Sequence, residues 1–334
     1  MGATGVSEFS LYGRMLEHGT LAEEPNDVPD ARFALPSAIH WIRALAIASV
    51  ASDVGFATAS RFYASVQRRV MTDREINTVC EQMLFALHQI AALTAIELAP
   101  NKADVARIGI VAWYYGVYGA ASAMIAAGDG SFPDTHAATA QQWDRQFAAT
   151  GLVMPPFADR ISNLTDAEVK RQLAVPRSRG KHSLTVKPVS DEQGWGCIAE
   201  YLAGTADWEQ WNIRERVRAS REFRDLGVDS FRTSAARRLR DAAYAKRSIA
   251  FLHQASRYRG KANYRDAIYL GYGKSVPKLL DTFVGDLTMV LRAFSCMAAG
   301  YCAARLGRKL WAEFIVDLEA KRAISVSPSS LWAA

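Results

Sequence analysis

Cysteine is scarce in this 334-residue sequence, and the residues that bind metals are not grouped. The four cysteines, Cys80, Cys197, Cys296 and Cys302, form no CxxC pair, and the histidines are not clustered. A zinc ribbon or a disulfide framework needs such groups, so both classes are excluded. The sequence predicts a protein of a reducing compartment that holds no metal and no cofactor.

Signals for secretion and for several enzyme families are also missing. The N-terminus has no basic region followed by an apolar run, so no secretory signal is expected. No GxSxG, HExxH or Rossmann fingerprint occurs. The uncharged run 108–128 is long enough to cross a bilayer, but its glycines and tyrosines are typical of a buried helix in a soluble protein. We expect a cytoplasmic protein with no membrane span.

The most informative stretch lies between residues 105 and 143. Here Trp113, Tyr114, Tyr115 and Tyr118 alternate with glycines and alanines along one uncharged helix. Large rings beside small residues let neighbouring helices approach closely and interlock. This pattern predicts the central helix of an α-helical bundle.

Turn and cap residues mark where this helix ends and the next one begins. Gly128 and Gly130 end the first helix, and Pro133 with Asp134 or Thr135 begins the second. The arrangement resembles the HEPN family, whose helical domains commonly carry a YY..F..A..A helix, a glycine-containing turn and a TH entry into the following helix. The matching residues are Trp113-Tyr114-Tyr115, Tyr118, Ala120, Ala121 and Thr135-His136. The resemblance implies a helical bundle that homodimerises around an RNA-binding cleft.

The other segments are predicted to extend or complete a mainly α, HEPN-like bundle. Residues 1–70 form an N-terminal extension with one long helix that runs to about Phe62. Residues 71–148 supply HEPN-like helices 1–3, the first of them capped by Thr72 or Asp73.

Residues 149–232 are predicted to be an irregular insertion. It is expected to include a strand or hairpin at 182–189 and a short helix near 197–203. An ordered insertion of this length is usually functional or forms a partner interface. Helix returns at about Thr233.

The C-terminal HEPN-like helices occupy residues 233–325. One interruption is expected at Gly260, and a last long helix is expected from Pro277 to about Arg322. The tail, 326–334, is either disordered or packed through Trp332.

The resemblance also directs attention to the helix before Gly271, where two alignments of a catalytic motif are possible. Many HEPN proteins are metal-independent ribonucleases whose motif is an Arg followed four to six residues later by a His. Residue chemistry favours Arg247 with His253, because five residues intervene and the residue after Arg247 is polar. Position relative to the final helices favours Arg259, with Asn263 and Tyr264 where a nuclease usually has its His.

The two alignments differ in the chemistry that they allow. RNA can be cut without metal when its own 2′-hydroxyl attacks the adjacent phosphate. A histidine can move the protons, and an Arg can stabilise the charge on phosphorus. On a continuous helix, however, Arg247 and His253 would point about 120° apart. The pair therefore requires either a dimer interface or a local irregularity in the helix.

Basic residues are concentrated just upstream of this motif. The chain has a formal net charge of +6, and residues 213–247 contain eleven Lys/Arg against five Asp/Glu. The run is either an ordinary solvated face, with internal ion pairs, or a phosphate-binding surface. Arg237, Arg238 and Arg240 are the strongest candidates for contacts with a nucleic acid, since only Asp241 offsets them nearby.

Two functions follow from these patterns. The first is a metal-independent endoribonuclease of a toxin–antitoxin or anti-phage defence system, with Arg247, His253 and Arg259 as catalytic residues and Asn263 and Tyr264 in contact with substrate. The second is a non-catalytic HEPN-like subunit that binds nucleic acid, a nucleotide or a protein partner, the last through residues 149–232. A homodimer is expected in both cases.

Overall fold

The computed structural model describes residues 35–264, 268–271 and 276–333, and within them it is built almost entirely of helices. The predicted mainly α fold is confirmed, and the described residues contain one isolated antiparallel bridge, between Ile161 and Ile249, in place of a sheet. Residues 1–34 of the predicted N-terminal extension lie outside the described residues. The helices are α1 Leu35–Ala51, α2 Phe56–Phe62, α3 Asp73–Ile96, α4 Lys102–Asp129, α5 His136–Trp143, α6 Asp166–Ser178, α7 Asp191–Arg218, α8 Arg221–Arg224, α9 Ser234–Tyr244, α10 Phe251–Tyr264, α11 Ile268–Gly271, α12 Val276–Leu280, α13 Phe283–Leu306, α14 Arg308–Lys321 and α15 Pro328–Trp332.

Local capping signals determine the ends of α3, α4 and α5. The Thr72 hydroxyl accepts from the Glu75 backbone N–H, and the Glu75 carboxylate accepts from the Thr72 N–H at 2.7 Å, which is a complete capping box. Gly130 ends α4 in the left-handed conformation, with φ of 83°. Thr135 caps α5 by accepting from the Ala138 N–H. These ends agree with the predicted ones.

Helix α4 is the central helix of the bundle, as predicted. It packs against α3 on one side and α13 on another, and its glycines allow both contacts. A methyl group at Gly119 would lie 3.1 Å from the Gln82 carbonyl oxygen on α3, and one at Gly116 would overlap Leu291 on α13. The Trp113 ring is fully buried and lies 5.9 to 6.4 Å from three other aromatic rings.

The buried apolar residues form two separate cores. The main core joins α1 to α5, the N-terminal part of α7 and α10 to α15, and it includes the fully buried Trp41 and Trp332. The C-terminal segment therefore packs through Trp332, whose carbonyl oxygen accepts from the Trp311 indole at 3.0 Å. The second core lies between α6, the C-terminal half of α7 and the end of α9, and it contains Leu173, Leu202 and Ile249.

Several predicted elements in the insertion are wrong. Residues 182–189 form turns and coil, without a strand, and the short helix predicted near 197–203 is the middle of the 28-residue α7. Glycines and alanines in α7 weaken the pattern of large apolar residues from which the length of a helix is predicted. They are there for close packing, because a methyl group at Gly194 would lie 3.3 Å from the Ala44 carbonyl oxygen on α1.

Three long helices predicted from sequence are interrupted in the structure. The N-terminal helix breaks at 52–55, and the last one breaks at 281–282 and at Gly307, where φ is 95°. The helix predicted from Thr233 breaks between Tyr244 and Phe251, whereas the predicted break point, Gly260, lies inside α10.

Three segments among the described residues are long and apolar enough to cross a membrane by length and composition: α3, α4 and residues 276–306. In the fold, 78% of the apolar window of α4 and 83% of that of 276–306 are buried within the protein, compared with 33% for α3. Helix α13 also carries the buried carboxylate of Asp286, which pairs with Arg43 on α1 at 2.7 Å.

Candidate functional site

The break between α9 and α10 brings the predicted pair Arg247 and His253 to one cavity. Because the chain leaves the helix after Tyr244 and re-enters it at Phe251, the two residues do not share a helix. The local irregularity that the pair requires is therefore present within a single chain. The cavity has a volume of about 250 Å³ and is lined by Ala137, Ala140, Thr205, Trp208, Glu209, Arg247, Ile249, His253, Ser256 and Arg257.

Pairing with a distant segment produces this break. Ile249 and Ile161 exchange two backbone hydrogen bonds of 2.8 Å, and the Leu164 N–H donates to the Tyr244 carbonyl at 3.0 Å. An antiparallel bridge needs extended backbone, which a helix cannot provide. Pairing with residues 161–164 thus keeps the backbone between Tyr244 and Phe251 out of a helix, at the edge of the second core, and directs Arg247 into the cavity.

His253 occupies the first turn of α10 and caps it. The Ala250 carbonyl accepts from the backbone N–H groups of His253 and Gln254, and the Nδ1 of His253 accepts from the Ala250 N–H at 3.1 Å. Nδ1 therefore carries no hydrogen, and in the neutral ring the hydrogen is on Nε2. Among the described residues Nε2 is buried without a hydrogen-bond partner.

Burial and charge keep this imidazole neutral. Burial of the ring, followed by the nearby Arg247 guanidinium, lowers the pKa of His253 to about 4, and the Asp144 carboxylate only partly opposes them. At neutral pH His253 is consequently a hydrogen-bond donor through Nε2. Neither ring nitrogen has a lone pair available to take a proton from a substrate.

Two arginines line the cavity, and each contacts α7. Arg247 Nε lies 3.0 Å from Oε1 of Glu209 in an ion pair whose N–H bond is not aligned with that oxygen. Arg257 reaches the Thr205 hydroxyl at 3.3 Å, and its guanidinium lies 5.1 Å from the centroid of Trp208. The arrangement places two permanent positive charges and an indole ring around one cavity.

Next to the cavity, a buried carboxylate fixes the chain at the break. Asp144 is 1% exposed and begins a π-helical turn, Asp144–Ala148, at the end of α5. It accepts two hydrogen bonds from Arg160, at 2.9 and 3.0 Å, and one from the Ser248 hydroxyl. This network connects the residue after Arg247 to α5 and to the segment before the Ile161 bridge.

The other predicted catalytic residue, Arg259, lies outside the cavity lining. Its guanidinium is 4.9 Å from the centroid of Tyr114, and its charge adds to burial in lowering the pKa of His136. His136 also packs against Tyr118, with the ring centroids 4.5 Å apart. Tyr114 is hydrogen-bonded to Ser256, which lines the cavity, so the residues around Arg259 lie directly beside the cavity.

The predicted substrate-binding residues are placed away from the cavity or are not described. Arg237 and Arg238 are exposed on α9, whereas Arg240 pairs with Asp241 at 2.8 Å and packs near Tyr244. The side chains of Asn263 and Tyr264, at the end of α10, lie outside the described residues. None of the three arginines lines the cavity.

Other reactive groups are unsuited to chemistry. The described residues contain no group of three or more His, Cys, Asp or Glu side chains able to hold a metal ion. Burial raises the pKa of Cys197 and of Cys296 to about 12, so both stay protonated.

Five residues at or next to the cavity were not predicted from the sequence: Thr205, Trp208, Glu209, Arg257 and Asp144. Trp208 and Glu209 lie three and four residues after Thr205, and this spacing is a signal only once α7 is known to be helical.

Comparison with known proteins finds no family model that matches this chain and no similar curated protein or solved structure.

Proposed function

We propose that this protein is a HEPN-like, metal-independent endoribonuclease that binds one phosphate of its RNA substrate in the cavity between α7 and α10. The observation that carries the proposal is the convergence of Arg247, Arg257 and the Nε2–H of His253 on one small polar cavity. Planar guanidinium groups bind phosphate oxygens with charge-assisted hydrogen bonds, and a neutral imidazole N–H adds a further donor. All three groups donate, as an anionic ligand requires.

The neighbouring side chains suit a ribonucleotide. Trp208 lies at the cavity and packs on Trp211, with the ring centroids 5.1 Å apart, and indole rings offer a face on which a base can stack. Arg237 and Arg238 present exposed charge on α9, where they would add salt-dependent affinity for the backbone of a longer RNA.

The chemistry would be attack of the 2′-hydroxyl on the adjacent phosphate, with Arg247 and Arg257 stabilising the charge that builds on the phosphoryl oxygens. The resemblance to HEPN proteins extends the proposal to a cytoplasmic homodimer in a toxin–antitoxin or anti-phage system, with residues 149–232 available to a protein partner.

The test is cleavage of total RNA in excess EDTA by the purified protein and by the variant R247A. R308A is the matched control, because Arg308 is exposed at the start of α14 and lies outside the cavity. We expect cleavage by the wild type and by R308A, and a loss of about 100-fold or more in R247A. Circular dichroism and thermal melting verify that each variant is folded. RNA that stays intact with the wild type would refute the nuclease.

The second candidate is a non-catalytic subunit that binds a phosphate-bearing ligand. The capping role of His253 favours it, because a residue committed to the start of α10 is not free to move protons. Fluorescence anisotropy with a labelled RNA would then show binding without cleavage. Its affinity for RNA would fall with salt and would be weaker in R247A than in R308A.

A further inference from the structure

Cleavage through the 2′-hydroxyl needs a group that takes the hydroxyl proton. His253 does not fill that role, because its Nδ1 accepts from Ala250 and its Nε2 carries the hydrogen. Of the residues lining the cavity, Glu209 is the one carboxylate. We propose that Glu209 is the general base of the reaction. This inference rests on the nuclease proposed above and assigns its proton transfer.

The position of Glu209 on α7 fits this role. Thr205 and Glu209 are four residues apart, so both side chains lie on the face of α7 that lines the cavity. The Glu209 side chain is 18% exposed, with the Arg247 Nε at 3.0 Å and an Arg216 terminal nitrogen at 3.5 Å. The carboxylate therefore lies directly beside the guanidinium that is proposed to hold the phosphate.

This juxtaposition serves the reaction geometry. The 2′-oxygen and the phosphorus that it attacks belong to adjacent groups of one nucleotide, so a base and a phosphate-binding cation must also be adjacent. Arg247 can contact a phosphoryl oxygen with its terminal nitrogens while its Nε remains near Glu209. The base is thus provided by α7, and its electrostatic partner by the break between α9 and α10.

The step is balanced as follows. The Glu209 carboxylate takes the proton of the 2′-hydroxyl, and the 2′-oxygen forms a bond to phosphorus. The bond between phosphorus and the 5′-oxygen of the next nucleotide breaks, and this oxygen leaves with a proton from water. The resulting hydroxide takes the proton held by Glu209. The products are a 2′,3′-cyclic phosphate and a 5′-hydroxyl end, with nothing oxidised or reduced.

The experiment compares wild type, E209Q, E209D and E200Q under single-turnover conditions in EDTA, with a labelled RNA oligonucleotide as substrate. E209Q keeps the shape of the side chain and removes the base. Glu200 is the matched control, since it lies on the same helix, pairs with Arg177 and is absent from the cavity lining. RNA affinity is measured in parallel with an uncleavable 2′-deoxy oligonucleotide, and folding by thermal melting.

We expect E209Q to lower the cleavage rate by 100-fold to 10,000-fold, with affinity unchanged or increased because a negative charge beside the phosphate is gone. E209D, which keeps the carboxylate, should restore part of the rate and also provides the comparison with wild type if E209Q does not fold. E200Q should match the wild type.

Two results would overturn the assignment while leaving the nuclease in place. One is an E209Q rate equal to that of the wild type. The other is an equal loss of rate and affinity in E209Q, which would mean that Glu209 only holds Arg247 in position. If the wild type itself leaves the RNA intact, the nuclease and the base are refuted together.

Discussion

The capping histidine makes the stability of the protein depend on pH in a defined direction. In the folded state, burial and the Arg247 charge lower the pKa of His253 from 6.5 to about 4. In the unfolded chain the same imidazole takes a proton as the pH falls below about 6.5. Between these values the unfolded state binds more protons than the folded state, so acid favours unfolding.

The magnitude follows from the two pKa values. Each pH unit between them is worth about 1.4 kcal/mol, so the contribution is about 3 kcal/mol once the pH has fallen to 4. This stabilisation is complete above about pH 6.5 and is lost progressively towards pH 4. A loss of this size is a large fraction of the 5–15 kcal/mol that is typical of a folded domain.

The matched variant is H253Q. Glutamine at this position of a helix can accept from the Ala250 N–H as the imidazole does, so the cap is retained while the titrating group is removed. H253A, in contrast, removes the cap as well and should cost about 1 kcal/mol more at every pH. Other groups titrate equally in wild type and variant, and they cancel in the difference.

The measurement is urea unfolding of wild type and H253Q, followed by circular dichroism from pH 8 to pH 4. We expect nearly parallel free energies of unfolding above pH 7. Below pH 6.5 the wild type should lose stability relative to H253Q, by about 3 kcal/mol in total. Curves that remain parallel down to pH 4 would show that His253 is not held neutral in the fold. The assignment of His253 as a neutral hydrogen-bond donor through Nε2 would then also be wrong.

Three further expectations concern packing and buried charge, and each is checked by the free energy of unfolding in urea. G119A should destabilise the protein by about 1–3 kcal/mol, because the added methyl group lies 3.1 Å from a backbone oxygen of α3. G260A should instead stabilise it by about 0.5–1 kcal/mol, because no atom lies within 4 Å of the added methyl group. Equal effects of G119A and G260A on the free energy of unfolding would contradict the close packing of α4 against α3. D144A should cost about 3 kcal/mol or more by leaving the Arg160 guanidinium without its buried partner, and a neutral result would mean that the network does not hold the break. W332A should cost about 3–5 kcal/mol because the ring is fully buried, whereas an unchanged stability would place the tail outside the core.

The helix ends that the sequence predicted correctly are those determined by neighbouring residues. Thr72 and Glu75 are three residues apart and satisfy each other's backbone groups, and Gly130 ends α4 because it accepts a left-handed conformation. Such signals are complete within one turn of helix, so no knowledge of the remaining chain is needed.

The break before α10 could not be predicted in the same way. It results from the pairing of Ile249 with Ile161, 88 residues earlier in the chain, and the sequence around Arg247 has no proline or glycine to announce it. Gly260 was a poor guide because glycine permits an interruption without requiring one.

The composition of the cavity shows the same limit. An arginine and a histidine at positions 247 and 253 suggested phosphate chemistry, but the two side chains reach one cavity only because of the break. Glu209 and Arg257 line the same cavity only because α7 packs against α10. Residues that a motif does not contain become part of a site when tertiary structure brings them there, and a single sequence does not specify which ones.

Because the interior is divided into two cores, α7 connects one core to the other as a single long helix. Its 28 residues span about 42 Å. Its N-terminal half is anchored on α1 through Gly194, and its C-terminal half belongs to the second core. A protein or ligand bound to α6, which packs against α7, could tilt this helix, and Thr205 and Glu209 would move with it while α10 stayed in place. Control of the cavity could thus be exerted at a distance, without any contact with the residues that line it.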